Sequence, residues 1–310
     1  MEYISGTTEF CLNKPSVISL GKFDGLHRGH ELLIEYMLEK KQEGLTSVIF
    51  TFDIPPKNLV QQDEAKVLTT NDEKMHIFER IGIDYLIECP FTQEFMCMEP
   101  FDFIQKIIKE LHVKAMVVGK DFHFGHNRSG DYHTLMNYAG ELGYEVSVVD
   151  KMQYENRDIS STFIREEIMA GNIEKANDLL GYHYFVQGIV EHGKHLGGPV
   201  LGFPTVNLIP PANKLLPPFG VYVAEIVIDK TIYRGIANVG CKPTIEGNHP
   251  IGVEMHIFDF DQNVYDKEVR VDFLKKVRPE QKFESIEYLK KQMQKDISFA
   301  RKFLKAAKET

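Results

Sequence analysis

The period of the hydrophobic pattern changes part-way along this chain, and that change limits what it can fold into. Up to about Tyr182, apolar strand-like runs alternate with amphipathic helical patterns. VISL (Val17–Leu20) leads to a helical pattern after Gly29, TSVIFTF (Thr46–Phe52) to one from Asn71, and IDYLIEC (Ile83–Cys89) to EPFDFIQKIIKEL. In that last segment Pro100 stands near a helix start, with Phe101, Ile104, Ile108 and Leu111 at helical spacing. KAMVVG (Lys114–Gly119) and YEVSVVD (Tyr144–Asp150) continue the series, and short helices over 162–181 close it. Strand, helix, strand, helix at these lengths predicts a parallel sheet covered on both faces. After Tyr182, YFVQGIV, VYVAEIVID, TIYRGIANV, GVEMHIFDF and EVRVDFL follow at short intervals, separated by Gly, Pro, Asn and Asp. That spacing predicts an antiparallel barrel or sandwich. A final helix carries Ile286, Leu289, Met293, Ile297 and Phe303 or Leu304 along one stripe. The expectation is an α/β chain of two domains, 1–182 and 183–310, divided near residues 181–185.

The 310 residues suffice for two separate cores. A net charge of −9 without a long basic run argues against a broad nucleic-acid surface, but leaves room for a local basic pocket that takes a phosphorylated small molecule. Cys11, Cys89, Cys97 and Cys241 show no C-x-x-C or metal-ligand spacing and read as reduced thiols of a cytoplasmic protein. MEYISGTTEF reads as no signal peptide, and no apolar run approaches the ~20 residues of a membrane helix. The sequence does not decide between a monomer and weak self-association.

Three motifs fall at strand ends in the first half. GKFDGLHRGH (Gly21–His30) sits at a strand-to-helix corner, where free N–H groups and the helix dipole favour an anion. Gly21, Gly25 and Gly29 allow close backbone approach, and His27 and His30 are placed to donate to phosphate oxygens as charge develops. The plainer alternative is a surface accident or a satisfied core pair; position after a strand and beside F-D-G favours the phosphate reading. Zinc is disfavoured because no third or fourth ligand is spaced nearby. VVGKDFHFGHNRSGD (Val117–Asp131) mixes aromatics, Gly and one Arg, a composition suited to holding a heterocycle by stacking. ISSTFIREEI (Ile159–Ile168) puts hydroxyls and Arg165 at a helix start, which is either a phosphate cradle or a simple cap. Two further segments read as decoys. GIVEHGKH (Gly188–His195) nearly spells a P-loop, but His195 stands where a Mg²⁺-binding hydroxyl belongs and no helix follows. DFDQN (Asp259–Asn263) hints at a calcium loop but has Val264 at its sixth position, and reads as a hairpin turn.

The ordered motifs G-x-F-D-G-x-H-x-G-H (21–30), G-x-D-F-x-F-G (119–125), S-S-T-x-I-R (160–165) and G-F-P-T-x-N (202–207) identify a resemblance. G-V-Y (220–222), N-V-G-x-x-P-T (238–244) and V-E-M-H (253–256) extend it. The chain resembles the bacterial bifunctional FAD synthetases, riboflavin kinase joined to FMN adenylyltransferase, along nearly its full length. The resemblance implies an N-terminal Rossmann-like nucleotidyltransferase domain and a C-terminal riboflavin-kinase barrel with a terminal helix. It also implies ATP, riboflavin and FMN as substrates and Mg²⁺ as cofactor. It places His27, His30 and Arg165 on the transferring phosphates, with Gly21, Phe23, Asp24, Gly25, Gly29, Ser161, Thr162, Gly202 and Pro204 around ATP. It places Asp121, Phe122, Phe124 and Arg278 near flavin, Thr205 and Asn207 on Mg²⁺–nucleotide, and makes Glu254 the general base for the ribityl hydroxyl. Alternation in GVEMHIF points Glu254 away from the face of Val253, Met255 and Ile257; without the resemblance, it reads as an exposed strand glutamate.

Three departures from the family pattern stand out. Ile54-Pro55-Pro56 replaces P-H-P, Gly197–Val200 replaces G-R-x, and Arg278-Pro279-Glu280 carries a proline between the two charges. These departures keep two alternatives in view: a paralogue with one activity, and a non-catalytic flavin-binding regulator. Joint retention of His27, His30, Thr205, Asn207 and Glu254 argues against the regulator.

Overall fold

The structure is a computed structural model, and it describes residues 1–53, 66–191, 205–241 and 251–307. Ile54, Pro55, Pro56, the Gly197–Val200 segment, His195, Gly202, Pro204 and the end of N-V-G-x-x-P-T lie outside the described residues. Two compact units are formed, Met1–Ser161 and Thr162–Thr310.

The first unit is built on a six-stranded parallel sheet of β1 (Glu2–Ser5), β2 (Ser16–Leu20), β3 (Thr46–Phe52), β4 (Tyr85–Cys89), β5 (Val113–Gly119) and β8 (Glu145–Val149). Two short antiparallel pairs accompany it, β6 (His123–Phe124) with β7 (Gly130–Asp131) and β9 (Gln153–Tyr154) with β10 (Arg157–Asp158). The sheet order is β1-β4-β3-β2-β5-β8, so the chain steps outward from β2 in one direction and then in the other. In such a sheet ligands bind in the crevice at the carboxyl ends of the strands where the order reverses, here between β2 and β5.

Alternation along each strand supplies both faces. Val17, Ile49, Leu86 and Val117 pack with Leu33, Ile34 and Met37 of α1 (Arg28–Gln42) and Phe78 of α2 (Asn71–Ile81). Ile18, Leu20, Val48, Phe50 and Met116 pack on the other face. Their partners there are Phe95 of α3 (Gln93–Cys97), Phe103, Ile104 and Ile107 of α4 (Pro100–Leu111), and Leu135 of α5 (Tyr132–Leu142). The serines of β2 are wholly buried but satisfied: Ser16 donates to the Leu111 carbonyl at 2.7 Å and Ser19 to that of Val117 at 2.8 Å.

In the second unit, α6 (Ser161–Ala170, of which Ser161 is the last residue of the first unit) and α7 (Ile173–Leu180) precede the barrel. The unit starts at Thr162, earlier than the boundary expected near residue 182. Its first helices are tied to the barrel: the Asn177 amide donates to the Phe273 carbonyl at 2.9 Å and accepts from the Tyr184 N–H at 2.7 Å. Six antiparallel strands close the barrel: β11 (Phe185–Glu191), β12 (Thr205–Leu208), β13 (Gly220–Ile228), β14 (Thr231–Cys241), β15 (Ile251–Ile257) and β16 (Glu268–Pro279), in the order β11-β12-β15-β14-β13-β16. The expected choice between barrel and sandwich resolves as a barrel.

DFDQN is not a hairpin turn. It connects β15 to β16, which are not neighbours, because β16 closes the barrel between β11 and β13. The final helix, α8 (Ile286–Ala306), lays Ala300 and Leu304 on Val221, Val223, Ile236, Phe258 and Leu274. Its expected stripe is modified at its start and in its middle. Ile286 is exposed, and the buried line runs through Asp296, a charge that stays buried because Arg278 of β16 neutralises it.

Candidate functional site

The chain leaves β2 at Leu20 and turns into α1 through Gly21–His27. Phe23 pins this turn: its backbone is left-handed (φ 47°), and its ring is buried edge-on to Phe78 at 5.7 Å and 5.2 Å from the ring of His30. A phenylalanine there carries strain, which a packed core can hold in place. His27 is the extended N-cap residue of α1; its side chain makes no cap bond, while its carbonyl accepts the His30 N–H at 2.7 Å.

The imidazoles of His27 and His30 stack, centroids 3.8 Å apart and planes 20° from parallel. The Nδ1 atoms of both are buried and have no hydrogen-bond partner among the described residues. Burial pushes His27 down to about 4 against the pull of Asp24 and Asp121; burial, then the neighbouring imidazole, holds His30 well below 6.5. Both rings are therefore neutral at pH 7. Gly29 permits the arrangement, since a Cβ there would lie 3.0 Å from both Cε1 and Nδ1 of the His27 ring. Buried polar atoms left unpaired are rare in native proteins. A pair of them at a helix N-terminus fits an acceptor brought from outside, an anion above all.

The other motifs of this unit border the same corner. Asp121, after β5, lies close enough to act electrostatically on His27, and Lys151 bridges it (3.2 Å) to Asp158 (3.4 Å). Phe122 is half-buried and stacked on Phe124 at 5.4 Å, whereas Phe124 is buried against Phe103 at 5.6 Å and serves the core. Ser161 donates to the Asp24 carbonyl at 2.7 Å. Thr162 is exposed and Arg165 partly buried on the α6 turns that follow, in the second unit.

On the barrel, strand register assembles a polar row. Asn207 of β12 faces Glu254 of β15, Glu254 faces Asn238 of β14, Asn238 faces Val221 of β13, and Val221 faces Arg278 of β16. Paired residues share a face, so Asn207, Glu254 and Asn238 adjoin on one face, and the buried Val221 separates them from Arg278. Thr205 donates its hydroxyl to Glu254 Oε1 at 2.6 Å. Val253, Met255 and Ile257 are buried on the opposite face, so Glu254 points as alternation predicted. Thr205, Asn207 and Glu254 are all oxygen donors, the set a hard divalent cation takes. Arg278 is occupied otherwise than expected. Its Nε and Nη2 both lie 2.9 Å from Asp296, its Nη1 donates to the Pro279 carbonyl at 3.2 Å, and its guanidinium lies over Phe283.

Sequence reading gave no role to Lys151, Asn238 or Thr69. Asn238 lies within a quoted motif, but its place beside Glu254 is a matter of register, which no local pattern carries.

A family model for FAD synthetase matches residues 11–163, and one for riboflavin kinase matches residues 180–304. The bifunctional riboflavin kinase/FMN adenylyltransferase of Bacillus subtilis is 34% identical over 287 residues, 91% of this chain and 90% of that one. Those of Listeria monocytogenes and Escherichia coli K12 are each 33% identical, covering 96% and 93% of this chain and 95% and 92% of their own lengths. The crystal structure of a macrolide-efflux protein from Streptococcus pneumoniae superposes with a TM-score of 0.86 at 31% identity, over 97% of this chain and 98% of that one. Among the described residues of this chain, no helix is long and apolar enough to cross a membrane.

Proposed function

The chain belongs to the bifunctional riboflavin kinase/FMN adenylyltransferase family, and from that premise we propose which residues carry each reaction. It is a transferase that phosphorylates riboflavin to FMN with one ATP and adenylylates FMN to FAD with another.

Adenylyl transfer belongs to the corner after β2. A phosphate oxygen of FMN attacks the α-phosphorus of ATP, the bond to the β-phosphate oxygen breaks, and pyrophosphate leaves. Negative charge shifts onto the leaving oxygens, and preorganised donors in a dry site stabilise it. His27 and His30 supply those donors from the start of α1, and Ser161 of the same unit acts with them. The observation that carries this reading is the stacked, neutral imidazole pair with unpaired buried Nδ1 atoms.

Riboflavin phosphorylation belongs to the barrel. The primary hydroxyl of the ribityl chain attacks the γ-phosphorus, its proton passes to Glu254, and ADP leaves. Thr205 holds the carboxylate in place through its 2.6 Å hydrogen bond. Mg²⁺ would be held by Thr205 and Asn207, where it would neutralise phosphate charge. We divide the activities at residue 182, with Gly202 and Pro204 on the kinase side and Asp121 and Phe122 near the flavin of the first. The chain acts on small molecules in the cytoplasm, as a monomer or weakly self-associated, with no nucleic-acid partner. Purified protein given riboflavin, ATP and Mg²⁺ should yield FMN, then FAD and ADP, separated by chromatography. FMN without FAD would reduce the chain to its kinase, and neither product would sink the reading.

A further inference from the structure

Asp24 sits in the middle of the phosphate corner, where a free carboxylate would repel an incoming triphosphate. The structure turns it away. Its Oδ1 accepts from the Leu68 N–H at 2.8 Å and the Thr69 N–H at 3.1 Å, immediately ahead of the Thr70 N-cap of α2. Thr69 answers in the opposite direction, its hydroxyl accepting the Gly25 N–H at 3.0 Å. Leu68 and Thr69 are buried at 0% and 2% exposure, so the Gly25–Thr69 bond is shielded from competing water while Asp24 itself stays half-buried. Behind them Lys74, itself buried, feels Asp24 and lies 4.0 Å from the buried Glu88. Gly25 has φ 82°, so the turn is open to a left-handed backbone there and depends on outside contacts to hold one shape.

We propose that Asp24 and Thr69 form a half-buried latch between the β2–α1 turn and the start of α2. They act as positioning residues that fix His27 and His30 for adenylyl transfer, not as ligands of the nucleotide. The inference rests on the adenylyltransferase reading of this corner, and it replaces the ATP contact expected for Asp24. A single oxygen receives both N–H groups, so an amide oxygen in the same place can make both bonds.

The experiment compares Asp24→Ala, Asp24→Asn, Thr69→Val and Thr69→Ser in the full chain, well below their melting temperatures. FMN adenylylation, riboflavin phosphorylation and amide hydrogen exchange are read on each. Asp24→Ala and Thr69→Val should lower kcat for FAD formation by about 10²-fold, the cost of a misplaced reacting group, with kinase turnover unchanged. Exchange at Gly25, Leu68 and Thr69 should quicken in both. Asp24→Asn and Thr69→Ser should stay close to wild type in both readouts. Asp24→Asn as slow as Asp24→Ala, with exchange still protected, would overturn the latch and make the charge itself the functional group. A lowered melting temperature with wild-type kcat would overturn it too, leaving a purely structural contact. Absence of FAD synthesis in the wild-type chain would instead refute the reading of the corner, while the exchange pattern still decides whether the latch exists.

Discussion

The two sites we propose differ in kind: at the carboxyl end of β2 stand two neutral imidazoles sunk into the protein, and on the barrel a half-exposed carboxylate held by a threonine. The difference follows the two nucleophiles. The phosphate of FMN is already ionised near neutral pH, so adenylyl transfer needs donors for developing charge more than it needs a base. The ribityl hydroxyl still holds its proton, so phosphorylation needs an acceptor beside it. Burial favours neutral donors by disfavouring their charged form. Each environment suits the group it holds.

The comparison is broken most directly at Glu254. Glu254→Gln should lower riboflavin phosphorylation by roughly 10²–10⁴-fold while FMN continues to FAD. A kinase rate near wild type would return Glu254 to an ordinary strand residue. His27→Ala and His30→Ala should each slow FAD formation ~10²–10³-fold and leave FMN production intact. Normal FAD synthesis in the double variant would show that the buried pair is a packing feature. Arg278→Ala addresses the tie between β16 and α8. Loss of one partner of a buried pair should destabilise the second unit by about 3 kcal/mol. If instead riboflavin KM rises with an unchanged melting curve, the guanidinium serves flavin.

The smallest effect is on acid stability. His27 titrates near 4 when folded and near 6.5 when unfolded, so between these values the unfolded chain binds more protons. Its contribution is therefore fully present above pH 6.5, and is lost as pH falls toward 4. Relative to His27→Gln, wild type should lose about 2 kcal/mol between pH 7 and 5. Parallel melting curves across that range would contradict the buried neutral imidazole.

Much of this was legible locally. The alternation of strands and amphipathic helices predicts the parallel sheet, and the corner Gly21–His30 is readable as one feature because a strand-end glycine turn and two histidines are adjacent in sequence. Other features depend on distant partners. β1 (EYIS) is a four-residue edge strand whose pairing with β4 no local pattern announces, and β12 (TVNL) is too short to stand out. DFDQN carries turn residues whether its flanking strands pair or not, so a hairpin and a crossover look alike. Asp296 breaks the apolar stripe of α8 for a reason found in Arg278, far from its helical neighbours. Phe124 looks like a stacking residue in its motif, yet the ring of Phe103 claims it for the core. Asp24 reads as a phosphate-site acid until the N–H groups of Leu68 and Thr69 are placed beside it.

The central proposal is that the two reactions rest on separate residues, His27 and His30 after β2 for adenylyl transfer and Glu254 on the barrel for phosphorylation. Its most direct test supplies purified Glu254→Gln and His27→Ala/His30→Ala chains with ATP and Mg²⁺, each with riboflavin and separately with FMN, and follows flavins by chromatography. The account predicts that Glu254→Gln turns FMN into FAD but leaves riboflavin untouched, while the histidine double variant accumulates FMN from riboflavin and makes no FAD. A variant that loses both reactions while still folded, or that keeps both, would contradict it.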